Sequence, residues 1–103
     1  MFFVLFIITY PGAVTTFAGS AGLDGSADGT GLAARFNYPD GITSDGTNLY
    51  VTDAGNYTIR KIDISTGAVT TFAGTAGAIG AADGIGLAAS FNIIYGITSD
   101  GTK

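Results

Sequence analysis

Gly12-Ala13-Val14-Thr15-Thr16-Phe17-Ala18-Gly19 recurs unchanged as Gly67-Ala68-Val69-Thr70-Thr71-Phe72-Ala73-Gly74. The offset of 55 residues holds without a gap to the end of the chain. Leu32-Ala33-Ala34-Arg35-Phe36-Asn37 meets Leu87-Ala88-Ala89-Ser90-Phe91-Asn92, and Gly41-Ile42-Thr43-Ser44-Asp45-Gly46-Thr47 meets Gly96-Ile97-Thr98-Ser99-Asp100-Gly101-Thr102. Between 12–48 and 67–103, 27 of 37 positions are identical, too long an ungapped match for chance or low complexity. The 103 residues therefore hold somewhat less than two copies of one unit. A period of this size is the sequence mark of a repeat architecture.

The unit reads as β. Asn48 to Asp53 alternates, is rich in strand formers and ends at the turn cluster Asp53-Ala54-Gly55-Asn56. Thr58 to Ile64 alternates again, Ser65-Thr66-Gly67 is a turn, and a third strand follows. A short strand closed by Asp45-Gly46 precedes them. Four antiparallel strands are expected, at 41–44, 48–53, 58–64 and 69–73, joined by hairpin-length connections. The Gly-rich stretch from Gly19 to Pro39 joins the last strand of one unit to the first of the next. Leu32 to Phe36 could form one helical turn in it, with Asp28 or Thr30 near its start as a cap. Phe36, repeated as Phe91, is expected to plug the space between units.

Four strands repeating at this length are the signature of a β-propeller blade. Leu49-Tyr50-Val51-Thr52-Asp53-Ala54-Gly55-Asn56-Tyr57-Thr58-Ile59-Arg60-Lys61-Ile62 looks like the NHL-repeat core. Asn37-Tyr38-Pro39-Asp40-Gly41-Ile42 resembles the lead-in to that repeat's innermost strand, and Asp28 to Phe36 is similar to the long loop of bacterial secreted NHL proteins. Two departures stand out. The family often has His-Arg after the Asn, where this chain has Tyr57 and Thr58, and Ile94 replaces Pro39 in the second copy.

The expected fold is all-β, a partial β-propeller. Residues 1–18 form a partial blade, 19–40 an inter-blade loop, 41–73 a complete four-stranded blade, 74–95 a second loop and 96–103 the first strand of a further blade. By resemblance such rings usually close with about six blades, roughly 330 residues at this period. A lone blade cannot bury both faces, so the chain reads as a piece of a longer parent. A head-to-tail ring of copies is disfavoured, because the composite blade would lack a strand. Phe2 to Ile8 is either a strand, shifted by 55 from 57–64, or the apolar core of a secretory signal. The strand is the favoured reading, and the run is too short for a transmembrane helix, which needs about 20 residues.

Composition narrows the chemistry. The chain has no Cys and no His, which excludes disulfides, thiolate or imidazole metal sites and histidine-based catalysis. A net charge of −4 and a pI near 4.1 weigh against nucleic-acid binding. Asp24 to Gly29 looks like half of a calcium loop, but the position of the bidentate Glu holds Arg35, so a structural turn is preferred. Asp53, Gly55 and Asn56 read as the structural turn between the second and third strands. Arg60 and Lys61, on opposite faces of a strand, read as solvated or blade-packing positions. No catalytic constellation, metal site or cofactor is expected.

The inter-blade loop and that turn should share one end of the blade. This gives a candidate binding rim of Arg35, Tyr38, Asp40, Asn56 and Tyr57, with Tyr95 in the second copy. Nine of the ten mismatches between copies fall within 20–40, where recognition and tolerated drift are equally natural readings. The preferred function is a non-catalytic interaction module that binds protein or glycan, in a secreted or cell-surface protein. Its expected partners include the remaining blades of the parent, with no nucleic acid and no membrane span. The alternatives are part of a propeller hydrolase or lactonase-type enzyme, for which Asp40 alone would be a candidate carboxylate, and RNA binding, as some NHL rings show.

Overall fold

The computed structural model describes residues 4–9, 13–20, 22–80, 83–89 and 97. Its strands are β1 (Val4–Thr9), β2 (Ala13–Gly19), β3 (Gly29–Thr30), β4 (Pro39–Ser44), β5 (Asn48–Asp53), β6 (Thr58–Asp63) and β7 (Ala68–Gly74). Three single turns of 3-10 helix, Gly31–Ala33, Ala54–Asn56 and Gly86–Ala88, complete the described elements. Among the described residues there is no α-helix, and none long and apolar enough to cross a membrane. The chain is thus all-β, as the alternation of its apolar residues requires.

β4 to β7 form an antiparallel meander in which each strand pairs with the next. β5 and β6 run in unbroken register from Asn48↔Asp63 to Asp53↔Thr58. The β4–β5 ladder is interrupted between Pro39 and Ile42. There the Thr52 hydroxyl accepts the Gly41 N–H at 2.7 Å, replacing a backbone partner. Two of the three hairpins in this meander, β4–β5 and β6–β7, are closed by a carboxylate. Asp45 accepts the N–H groups of Asn48 and Thr47, and Asp63 accepts the Ser65 hydroxyl and the N–H groups of Ser65 and Thr66. These bonds hold both carboxyls below the ordinary value of 3.8.

Two features of this sheet and its loop differ from expectation. The sheet has a fifth strand, because β3, from the preceding loop, pairs with β7 through Gly29↔Val69 and Thr30↔Ala68. The helical turn lies at Gly31–Ala33 rather than 32–36, and Thr30 makes no side-chain cap. Asp28 is not its cap either, since its carboxylate is engaged elsewhere.

β1 and β2 pair in a separate two-stranded sheet. Their register, Ile7↔Thr15 and Ile8↔Val14, matches Lys61↔Thr70 and Ile62↔Val69 in the blade. A register shift falls at Leu5/Phe6 in one and at Ile59/Arg60 in the other. β1 therefore follows β6 with an offset of 54, not the 55 expected from the sequence. The physical reason is that three residues join β1 to β2, whereas four join β6 to β7. The expected strand at 96–103 and the Phe91 plug lie, but for Ile97, outside the described residues.

The core sits between the pieces. Ala18 from β2 and Ala34 and Phe36 from the loop pack against Val51, Ile62 and Val69 of the sheet, with Phe17 and Leu49 at the margin. These sheet residues share one face, because Leu49 stands opposite Ile62, and Ile62 opposite Val69. On the other face Tyr50 packs edge-on against Phe72, with ring centroids 5.1 Å apart.

Candidate functional site

At the end of β5 the strand gives way to the tight turn Ala54–Asn56, which Tyr57 ends in a left-handed conformation (φ 59°). Gly55 is required here, because a Cβ would sit 2.6 Å from the Asn37 carbonyl oxygen and Cγ. The close approach lets Gly55 N–H donate to Asn37 O at 2.8 Å and Ala54 N–H to Tyr38 O at 3.2 Å. The turn is thereby stitched to the inter-blade loop.

Asp53 is fully buried beneath this turn. Its Oδ1 accepts the Asn37 N–H at 2.7 Å, and its Oδ2 accepts Asn56 Nδ2 at 2.7 Å and Arg60 Nη1 at 3.0 Å. Burial pushes its carboxyl above the ordinary value of 3.8, against the opposing pull of Asn56, the Asn37 amide and Arg60. Asn56 Nδ2 also donates to Gly25 O at 2.7 Å, and Asn56 O accepts the Gly77 N–H at 3.1 Å.

Arg60 is the hub. Strand pairing sets it opposite Val51 and Thr71, on the core face with Ile62. Only 1% of its surface is exposed, and its guanidinium lies 5.0 Å from the Phe36 ring centroid. Besides Asp53, it donates to Arg35 O at 2.7 Å, Ala27 O at 2.9 Å and Asp28 Oδ1 at 3.1 Å. Asp28 Oδ1 also accepts the Thr71 hydroxyl at 3.1 Å. One planar cation thus ties the end of β5, the inter-blade loop and, through Asp28, β7. The fork of donors on guanidinium suits this task, where a point-like ammonium does not.

Arg60 is therefore not solvated but takes the blade-packing alternative, and it adds a set of buried hydrogen bonds that the sequence reading did not include. A signal was present in the sequence, since Asp28-Gly29 returns as Asp83-Gly84 inside a loop that otherwise varies between copies. Asn56, expected both on the rim and in the turn, is buried, because both amide hydrogens of its side chain are used within the fold. The structure brings Arg35, Tyr38 and Tyr57 to one end, on the stitched loop and turn. Arg35 donates back to Leu32 O and Ala34 O, Tyr38 is exposed at a left-handed φ of 55°, and Tyr57 is half-buried. Asp40 is exposed beside Pro39, which pairs with Asp53. Tyr95 lies outside the described residues. Lys61, on the opposite face, reaches over Phe72 at 5.7 Å. Among the described residues no three metal-ligating side chains converge. In the half calcium loop, Asp28 is engaged by Arg60.

An antiparallel four-stranded meander, repeated at a fixed period and linked to its neighbour by a loop that packs on the next sheet, is a β-propeller blade. No protein-family model matches the chain. It is 43% identical over 56 residues to NHL repeat-containing protein 2 of Bos taurus, and 44% identical over 50 residues to the protein of the same name in Gallus gallus. These matches cover 52% and 48% of the chain but only 8% and 7% of those proteins. A crystal structure of a protein of unknown function from Bacteroides thetaiotaomicron superposes with a TM-score of 0.86 at 37% identity, over 94% of this chain and 25% of that one. An auxiliary nutrient binding protein from the same bacterium superposes with a TM-score of 0.80 at 26% identity, over 95% of this chain and 28% of that one. These likenesses support an NHL-repeat reading of the chain over the half that the curated relatives match, and the solved structures share its fold.

Proposed function

We propose that the chain is a non-catalytic interaction module, which binds protein or glycan through the end of the blade that carries Arg35, Tyr38, Asp40 and Tyr57. The observation that carries this reading is the stitched loop. Buried bonds from Asp53, Asn56 and Arg60 fix the backbone of the segment on which the two copies differ most. A rigid platform with variable polar and aromatic side chains is what recognition uses. The likeness to a nutrient-binding protein supports a binding role. The absence of His and Cys from the sequence, and the solitary Asp40, support a role without catalysis. Further blades of the same repeat are proposed as covalent or docked neighbours. A site outside the cell or on its surface is proposed from the resemblance to secreted NHL proteins.

The test is a glycan array and a surface-protein panel probed with the chain and with the double variant Arg35→Ala/Tyr38→Ala. The expected result is a ligand lost at least about tenfold in the variant, corresponding to about 1.4 kcal/mol. Equal binding by both forms moves recognition off this rim, and turnover of a lactone substrate replaces this reading with the hydrolase alternative.

A further inference from the structure

Two buried side-chain atoms on β6 make no hydrogen bond, the hydroxyl Oγ1 of Thr58 and the guanidinium Nε of Arg60. Each residue keeps only 1% of its surface exposed. Buried polar atoms are almost always paired, so two orphans on one strand call for a partner. Both lie in one layer of the core. Thr58 and Arg60 are two residues apart on a strand, so their side chains share the core face. Arg60 stands opposite Val51, yet its Nη1 reaches Asp53 Oδ2 at 3.0 Å, and Asp53 stands opposite Thr58. The arginine side chain therefore runs along β6 towards Thr58 and carries Nε with it. On the other flank of Thr58 the β7 residue is Gly74, buried and with no side chain to fill the place. Asp53 Oδ1 accepts the Asn37 N–H alone and keeps a second lone pair.

We propose that Thr58 Oγ1, Arg60 Nε and Asp53 Oδ1 line a binding site for one internal water molecule. The ligand class follows from charge and from the donors on offer. Arg60 Nε has a hydrogen to donate and no lone pair, which excludes a cation. The guanidinium already faces two carboxylates, Asp53 at 3.0 Å and Asp28 at 3.1 Å, so the cluster carries a net negative charge and repels an anion. A water molecule is neutral. It accepts from Arg60 Nε and from the Thr58 hydroxyl and donates to Asp53 Oδ1, three bonds being usual for an internal water. It joins the start of β6 to the end of β5, beneath the Ala54–Asn56 turn. The exposed side chains of the rim take no part, so the site is independent of what the rim binds.

The full chain, Thr58→Val and Thr58→Ser are compared by oxygen-17 relaxation dispersion of the solvent and by thermal unfolding. The parent and Thr58→Ser are expected to hold one more long-lived water molecule than Thr58→Val. Valine keeps the branched shape and suits a strand, so the variant folds and its stability can be read. The sign of that stability change is decisive. Removing a hydroxyl that bonds an internal water lowers the thermal midpoint, by several degrees in a chain of this size. Removing a hydroxyl that has no partner raises it, because an apolar group then replaces an orphan. A raised midpoint in Thr58→Val therefore overturns the proposal. Equal relaxation dispersion in the parent and Thr58→Val also overturns it, and a lowered midpoint then records a direct bond from Thr58 to Asp53. Added chloride that raises the midpoint of the parent, but not that of Thr58→Val, overturns it in favour of an anion.

Discussion

Arg60 is a charge that the sheet carries on its apolar face, and removing it does not return the site to neutrality. Asp53 would stay buried with its carboxylate opposite a void, the Arg35 carbonyl would lose the guanidinium, and the Ala27 carbonyl would keep only the Arg35 N–H. Arg60→Ala is therefore expected to cost about 3–5 kcal/mol in urea unfolding, the range for breaking one side of a buried pair. Lysine cannot replace the forked bonds, so Arg60→Lys should recover only a minor part. Asp28, whose side chain is 52% exposed, should matter less, with Asp28→Ala costing about 1 kcal/mol or under. A variant order with Asp28 above Arg60 would mean the hub is misplaced. Titration carries a sign as well. The hydrogen bonds to Asp45 and Asp63 lower both carboxyls in the folded state, so their stabilisation is complete above the ordinary value of 3.8 and is lost as pH falls below it. Asp53, raised by burial, acts oppositely, favouring the folded state at low pH and losing that contribution as pH rises through its raised value. Acid unfolding of Asp45→Asn/Asp63→Asn should accordingly begin less steeply below about pH 4 than that of the parent. The role of Arg60 was not legible from alternation alone, because a charge between Ile59 and Ile62 reads as outward until its cross-strand partners are known.

The elements were legible in proportion to their length and pattern. β5 and β6 announce themselves by alternating Val, Ile, Tyr and Thr, and their turn by Asp53-Ala54-Gly55-Asn56. β3 gave no signal, since Gly29-Thr30 has no alternation and becomes a strand only because β7 offers an edge. The one-residue slip of β1 was equally hidden, because β1 shares no pattern with β6 and only the shorter connection records it. The candidate rim followed from element geometry, whereas the inward turn of Asn56 depended on a distant carbonyl, Gly25 O, that no local rule supplies. Gly55 tests the stitched turn at this scale. Gly55→Ala places a methyl against the Asn37 backbone, so the turn must part from the loop. The expected loss is about 1–3 kcal/mol, in the range of overpacked sites. The Asn37 and Gly55 amide signals should shift in the NMR spectrum while those of β4 at Thr43 stay in place. An alanine variant as stable as the parent would show that the approach is looser than the structure gives.

Across the whole molecule, one sequence is placed twice in unequal settings, which separates local propensity from packing. Leu32-Ala33-Ala34 and Leu87-Ala88-Ala89 are identical, and each makes the same internal bond, from Ala34 N to Gly31 O at 3.3 Å and from Ala89 N to Gly86 O at 3.2 Å. Among the described residues only the first packs with the core that Phe36 and Val51 share, where Ala34 is fully buried, while Ala89 keeps 9% of its surface exposed. A single turn of 3-10 helix has little stability of its own, so its opening follows whatever covers it. Ala34 should then exchange its amide hydrogen at least about a hundredfold more slowly than Ala89 in native-state measurements, since each 1.4 kcal/mol of opening energy is a factor of ten. The difference should depend on the hub and not on the turn. In Arg60→Ala the inter-blade loop loses its bonds through Ala27, Asp28 and Arg35, and Ala34 should accelerate towards the rate of Ala89, which Arg60 does not touch. Matching rates for Ala34 and Ala89 in the parent would mean that the loop holds its shape without the blade. The coupling of repeat to repeat through Arg60 would then have no energetic content.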